Sequence, residues 1–216
     1  MLNGIILITG GARSGKSAFA ESLAQELGGR VTYIATAEAR DPEMAQRILR
    51  HQASRPAAWK TIEAPLNLGA AIQSAAIEAD VIIVDCITLY LNNLLMQETG
   101  VLGDSDNPAI DLQVEDKIQT ELASVIHTAQ TAPAFIIFVT NEVGLGLVPA
   151  YHLGRFYRDL AGRANREFAA VADTVFLLNM GIAIELKSLG ISAKQGAAEI
   201  KSGIKRETYN DTAADK

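Results

Sequence analysis

A single cysteine, Cys86, stands in the 216 residues of this chain. That excludes an internal disulfide and a zinc site built from cysteines. No apolar run approaches the ~20 residues that cross a bilayer as a helix, so no transmembrane segment is expected. Positive charge is also short, since 19 Lys and Arg face 25 Asp and Glu, for a net charge of −6. Nucleic acid needs a basic face to neutralise its phosphates, and no such partner is expected. Small anions are not excluded, because a local nest of N–H groups binds them whatever the global charge. The first residues lack the basic, apolar and small-residue regions of a secretory leader. With a lone thiol, this makes the cytoplasm the expected location. What the chain has is apolar content, 49%, enough for the core of one large domain.

The chain is organised around Ile5 to Ser17, I-I-L-I-T-G-G-A-R-S-G-K-S. Four apolar residues read as a buried strand, the glycines as a turn, and Ala18 to Leu27 as a helix with Phe19, Leu23 and Leu27 on one side. The turn matches G-x-x-x-x-G-K-S/T, the phosphate-binding P-loop. Backbone N–H groups of Gly10, Gly11, Ala12, Arg13, Ser14 and Gly15 are the candidate phosphate contacts. Lys16 would add a point charge at the β- and γ-phosphates, and Ser17 a hydroxyl for Mg²⁺.

Further strands are read at Val31 to Ala35, Trp59 to Ile62, Val81 to Asp85, Phe135 to Thr140 and Thr174 to Leu178, with Ile182 to Leu186 as a candidate edge strand. Helices are expected from Asp41, as N-cap, to about Ala53, and over Leu66 to Glu78, Ile87 to Glu98, Asp111 to Ala129 and Tyr151 to about Ala170. Residues 99–108 read as a loop, and the polar stretch from Lys187 as a frayed tail. The fold class is α/β, a P-loop NTPase-type, mostly parallel sheet flanked by helices, with a candidate antiparallel edge strand. One domain spans residues 1–187, followed by a polar tail over 188–216.

Val81 to Asp85 is an apolar strand ending in a carboxylate, the Walker B pattern that orders Mg²⁺ opposite the P-loop serine, so Asp85 pairs with Ser17 as the metal candidate. His51 falls on one helical stripe with Met44 and Ile48, beside Arg47. Taken alone, a helical histidine reads as packed or solvated. Here H-x-x-x-R-P, then Trp59 and Glu63, joins a potential nucleophile to anion-binding arginines, and Arg55 and Glu63 become candidate nucleotide contacts. Asn141 to Pro149, N-E-V-G-L-G-L-V-P, reaches the edge where ligands bind in open α/β sheets. Asn141 and Glu142 are candidates for phosphate or base contacts there, against a purely structural turn at Gly144 and Gly146. Arg155, Arg158, Arg163 and Arg166 share one helix face, read either as a triphosphate or subunit clamp or as a salt-bridged solvated surface. His152 has no partner identifiable from the sequence, and His127 reads as a surface residue.

G-G-A-R-S-G-K-S, Y-I-A-T-A, D-P-E-M-A-Q-R-I-L-R-H-Q-A-S-R-P-A-A-W, V-D-C-I-T-L-Y-L-N-N-L-L, T-N-E-V-G-L-G-L-V-P and F-Y-R-D-L-A-G-R-A-N occur in this order. Over about residues 4–187 the chain resembles the bifunctional adenosylcobinamide kinase / adenosylcobinamide-phosphate guanylyltransferase family of cobalamin biosynthesis. The resemblance implies that ATP or GTP phosphorylates the aminopropanol hydroxyl of adenosylcobinamide. GTP then gives GMP to adenosylcobinamide phosphate through a guanylylated histidine, leaving adenosylcobinamide-GDP and pyrophosphate. That histidine falls on His51, with Lys16 and Asp85 as the other catalytic candidates. Mg²⁺ and a homo-oligomer, trimeric in the family, are also implied. Some members carry Glu in place of Asp85, and some a second histidine where this chain has Arg50. The competing readings are a P-loop kinase of another small alcohol that makes no use of His51, and a nucleotide-binding regulator without chemistry. The N-K-x-D element of GTPase switches is absent.

Overall fold

A computed structural model describes residues 3–39, 42–102 and 108–201. Runs of β-branched and aliphatic residues form seven strands: β1 (Gly4–Gly10), β2 (Val31–Ala35), β3 (Lys60–Glu63), β4 (Val81–Asp85), β5 (Phe135–Val139), β6 (Thr174–Asn179) and β7 (Ile182–Glu185). They make one sheet in the order β3-β2-β4-β5-β1-β6-β7. All neighbours are parallel except β6 and β7, which form an antiparallel edge. The α/β class, the mainly parallel sheet and the antiparallel edge strand are as expected. Register aligns the carboxyl ends: Ile8 of β1 lies opposite Val139 of β5, which lies opposite Asp85 of β4.

Successive strand side chains point to opposite faces, so the sheet has two cores. On one face Ile5, Leu7, Ile34, Val84 and Phe138 pack under α3 (Leu68–Ala75), α4 (Ile87–Leu102), α5 (Pro108–Thr131) and α6 (His152–Val171). On the other, Ile6, Ile8, Tyr33, Ile83 and Val139 pack with Ala20 and Ala24 of α1 (Lys16–Leu27). The helix before β3, α2 (Pro42–Ser54), differs from these: none of its described side chains is buried, and Leu49 is 63% exposed.

Several boundaries differ from expectation. Helix α3 is shorter at both ends, since Asn67 sits in the left-handed region (φ 55) and Ala79 N donates back to Ala75 O at 2.9 Å. Helix α4 runs on to Leu102, into the expected loop, and Pro108 already begins α5. Residues 103–107, Asp41 as N-cap and the side chain of Arg47 lie outside the described residues.

The expectation of a frayed tail from Lys187 is corrected over its first part. Helix α7 (Leu186–Leu189) is capped by Glu185, whose carboxylate accepts from Lys187 N and Ser188 N. Helix α8 (Ala193–Lys201) starts in a reciprocal box, Gln195 N to Ser192 Oγ at 3.2 Å and Ser192 N to Gln195 Oε1 at 2.8 Å.

Candidate active site

The turn from β1 into α1 takes its shape from two glycines. Gly10 (φ 147) lies so close to β6 that a Cβ would meet the Leu178 carbonyl oxygen at 2.3 Å, and Gly15 (φ 99) enters α1 from the left-handed region. The far rim is tied down where Gly181 N donates to Ser14 O at 3.0 Å. Lys16 is buried, and its ammonium donates to the Gly11 carbonyl at 2.6 Å across the loop. Ser17 follows half-buried, and the Ser14 hydroxyl is buried without a hydrogen-bond partner among the described residues.

Asp85 ends β4 on the α1 side of the sheet. Its Oδ2 accepts from the Tyr33 hydroxyl at 2.7 Å. Burial, reinforced by the Asp85 charge, pushes the Tyr33 phenol far above its ordinary range, so it remains a donor. The Arg55 guanidinium lies 3.5 Å above the Tyr33 ring centroid, a cation–π contact. Its Nε is buried, with no hydrogen-bond partner among the described residues. Glu21 of α1 joins this group: desolvation raises its pKa, the Arg55 charge opposes that shift, and Asp85 adds to it.

Arg55 is four residues beyond His51, just past the end of α2, so the histidine's helix is fastened at its end to the Asp85 edge. A second fastening comes from Gln52 Nε2, which donates to Glu63 Oε1 at 3.1 Å. Glu63, itself exposed, thus holds α2 against β3 through one carboxylate oxygen. His51 itself is half-buried in the last turn, with Met44 and Ile48.

On the opposite face, Asn141 and Glu142 continue β5 beside the P-loop. Glu142 N donates to Gly10 O at 3.1 Å. Its Oε1 accepts from Thr9 Oγ1 at 2.6 Å and from Asn165 Nδ2 at 3.2 Å. Asn165 also donates to Asn141 O at 3.1 Å and accepts from the buried Thr140 hydroxyl at 2.6 Å. The Asn141 amide donates to Thr88 Oγ1 at 2.6 Å. It thus stitches β5 to the start of α4, where the Tyr157 hydroxyl bonds Thr88 O at 2.9 Å.

Tyr33, Thr9, Thr88 and Asn165 carry no local sequence signal of their place in this network. The arginine face of α6 divides between its two readings. Arg155 donates to Ala150 O at 2.7 Å, Arg163 pairs with Glu115, and Arg158 bonds Asp159 at 3.2 Å. Arg158, Arg163 and Arg166 still line a surface cavity of about 480 Å³ with Gly144. His152, partnerless in sequence, meets Asp111 Oδ2 at 2.8 Å, and His127 is exposed as expected.

A glycine turn closed over a buried lysine, at the carboxyl edge of a parallel sheet and facing the start of a helix, is the geometry of P-loop nucleotide-binding enzymes. Comparison with known proteins narrows the class. Residues 6–186 match the family CobU, described as cobinamide kinase / cobinamide phosphate guanyltransferase. Proteins named bifunctional adenosylcobalamin biosynthesis protein CobU are similar to this chain. The one from Escherichia coli K12 is 42% identical over 184 residues, covering 85% of this chain and 99% of its own length. The one from Salmonella typhimurium is 42% identical over 189 residues with the same shares. The Pseudomonas aeruginosa protein CobP, named likewise, is 42% identical over 84% of this chain and 96% of its own length. The chain belongs to this family and is a kinase and guanylyltransferase, as the resemblance implied.

Proposed function

We propose that this chain phosphorylates the aminopropanol hydroxyl of adenosylcobinamide, with ATP or GTP as donor, and then guanylylates the product through His51. In the second reaction a neutral imidazole nitrogen attacks the α-phosphorus of GTP. The N–P bond forms as the bond to pyrophosphate breaks. An oxygen of adenosylcobinamide phosphate then displaces the imidazole, giving adenosylcobinamide-GDP. The observation that carries this reading is the Arg55–Tyr33–Asp85 chain, which ties the end of the histidine's helix to the strand edge that also bears the P-loop.

Lys16 and the loop amides would hold the β- and γ-phosphates, and the buried Arg55 Nε, without a partner among the described residues, is suited to an anion. Ser17 and the Asp85 oxygen not engaged by Tyr33 are hard oxygen donors of the kind Mg²⁺ takes alongside phosphates. Bound there, Mg²⁺ would neutralise charge on the transferring phosphoryl group. Asn141 would steer the nucleotide through the segment it holds. A homo-oligomer is supported by the exposure of Leu145, Leu147, Val148 and Tyr151 on one loop, an apolar patch of the kind that marks subunit contacts. Sedimentation should find an assembly, with three copies as the family's arrangement. Among the described residues no helix is long and apolar enough to cross a membrane, and the cytoplasm is the proposed location.

Labelled GTP tests the covalent step. Label at the α-position should appear on the protein, be acid-labile, and be lost in His51→Ala, while γ-label should not stay on the protein. Full α-labelling of His51→Ala would sink the assignment.

A further inference from the structure

Glu142 carries the most specific arrangement that the two reactions above leave without a role. Its Oε1 is fixed by two donors, Thr9 and Asn165, at 2.6 and 3.2 Å. Asn165 is itself fixed by the fully buried Thr140. No hydrogen bond to Glu142 Oε2 occurs among the described residues. One oxygen is thus anchored and the other is left as the acceptor, on a half-buried carboxylate whose own N–H bonds the first glycine of the P-loop.

A carboxylate beside a phosphate loop cannot serve by touching phosphate, because like charges repel. It must face a cation or a proton donor. Asp85 is already the carboxylate suited to the cation. The two acids leave the strand edge on opposite faces of the sheet: Asp85 turns to Tyr33 and α1, Glu142 to Thr9 and α6. That separation argues for separate tasks.

We infer that Glu142 is the general base of the phosphorylation half-reaction and takes the proton from the attacking alcohol. The hydroxyl proton passes to Oε2 as the oxygen attacks the γ-phosphorus, and the bond from that phosphorus to the bridging oxygen breaks. The nucleoside diphosphate leaves with the electron pair. Guanylyl transfer needs no such base, since both of its nucleophiles, a neutral imidazole nitrogen and a phosphate oxygen, present lone pairs free of a proton. Thr9 and Asn165 are positioning residues for Oε1.

The inference rests on the two-reaction reading above, and its test is arranged so that the two can fail separately. Glu142→Gln in the full chain is compared with wild type in phosphorylation of adenosylcobinamide by ATP, in GMP transfer to pre-formed adenosylcobinamide phosphate, and in ATP dissociation constant. Phosphorylation kcat should fall ~100-fold or more, with transfer and ATP affinity within about threefold. Retained transfer and affinity also certify the fold. Asn165→Ala, which also frees the Asn141 carbonyl, should lower phosphorylation about tenfold more than it lowers transfer. Phosphorylation within threefold of wild type in Glu142→Gln would overturn the inference. So would a parallel fall in both reactions, which would make Glu142 a nucleotide-positioning residue. A wild-type protein that phosphorylates but never transfers GMP would overturn the His51 reading, and Glu142 is then decided by phosphorylation and affinity alone.

Discussion

The P-loop cradle and the helix that carries His51 lie at one edge of the sheet and are built in opposite ways. Around the cradle, Thr9, Thr140, Asn141, Glu142 and Asn165 are joined by hydrogen bonds of 2.6 to 3.2 Å at the ends of buried strands. Helix α2 has no buried side chain among those described, and it is fastened near its end by Gln52 to Glu63 and by Arg55 on Tyr33. Preorganised dipoles stabilise charge only if they do not reorganise during reaction, which suits a rigid cradle. In the proposed transfer, a nucleophile that meets first GTP and then a bulky acceptor is better carried on an element with little apolar burial to give up.

The largest test of that contrast is in stability. Phe168 is 1% exposed and packs edge-on against Phe138 at 4.8 Å. Phe168→Ala should cost about 3–5 kcal/mol in urea unfolding. Ile48→Ala, on half-buried α2, should cost less than about 1 kcal/mol. Equal costs would mean that α2 is part of the main cooperative unit. Next, Lys16→Ala should lower both reactions ~100-fold or more, since each transfers a group from a bound triphosphate. If either reaction survived intact, the cradle would serve only the other.

What could be read in advance follows from which interactions are local. The strands announce themselves as short apolar runs, and the P-loop as glycines at fixed spacing. The box that starts α8 was also local, since Ser192 and Gln195 have the S-x-x-Q pattern, but the small polar residues around it read as a tail. Helix α4 passes Thr99 and Gly100 because it lies against α5, where Lys117 bonds Glu98 at 2.8 Å. Packing there overrides propensities worth about 1 kcal/mol per residue. Tyr33 with Asp85, and Thr9 with Glu142, are 52 and 133 residues apart in sequence. Only strand order and register bring them together. Lys16 and Asp85 stand out by local patterns and His51 by the family resemblance, whereas Asn165, which bonds Glu142, has no pattern of its own.

A smaller effect probes the joint between the two regions. Tyr33→Phe keeps the ring under Arg55 but removes the donor to Asp85 Oδ2. A carboxylate stripped of its partner should cost about 1–3 kcal/mol of stability. Because the ring remains, amide exchange in α2 should stay as in wild type, whereas Tyr33→Leu, which loses the ring as well, should speed it. If Tyr33→Phe alone loosened α2, the helix would be held through Asp85 rather than through the guanidinium.

The smallest effect is a pH dependence inside the cradle. Cys86 follows Asp85, with its thiol buried against Thr88 and its backbone bonded both ways to Thr36. Burial first, and then the Asp85 charge, push the thiol from its ordinary value near 9 up to about 11. A folded value above the unfolded one means that the stabilising contribution is complete below pH 9. It is lost as pH rises through 11, because the unfolded thiol ionises first. By pH 10 the loss should be roughly 1 kcal/mol, seen as a steeper fall of stability between pH 8 and 10 in wild type than in Cys86→Ala. Since only the thiolate reacts, a disulfide reagent at pH 8 should modify the native protein no faster than global unfolding, while α2 amides exchange well ahead of it. Rapid labelling would show that the cradle opens as readily as the histidine's helix, and the contrast between them would not hold.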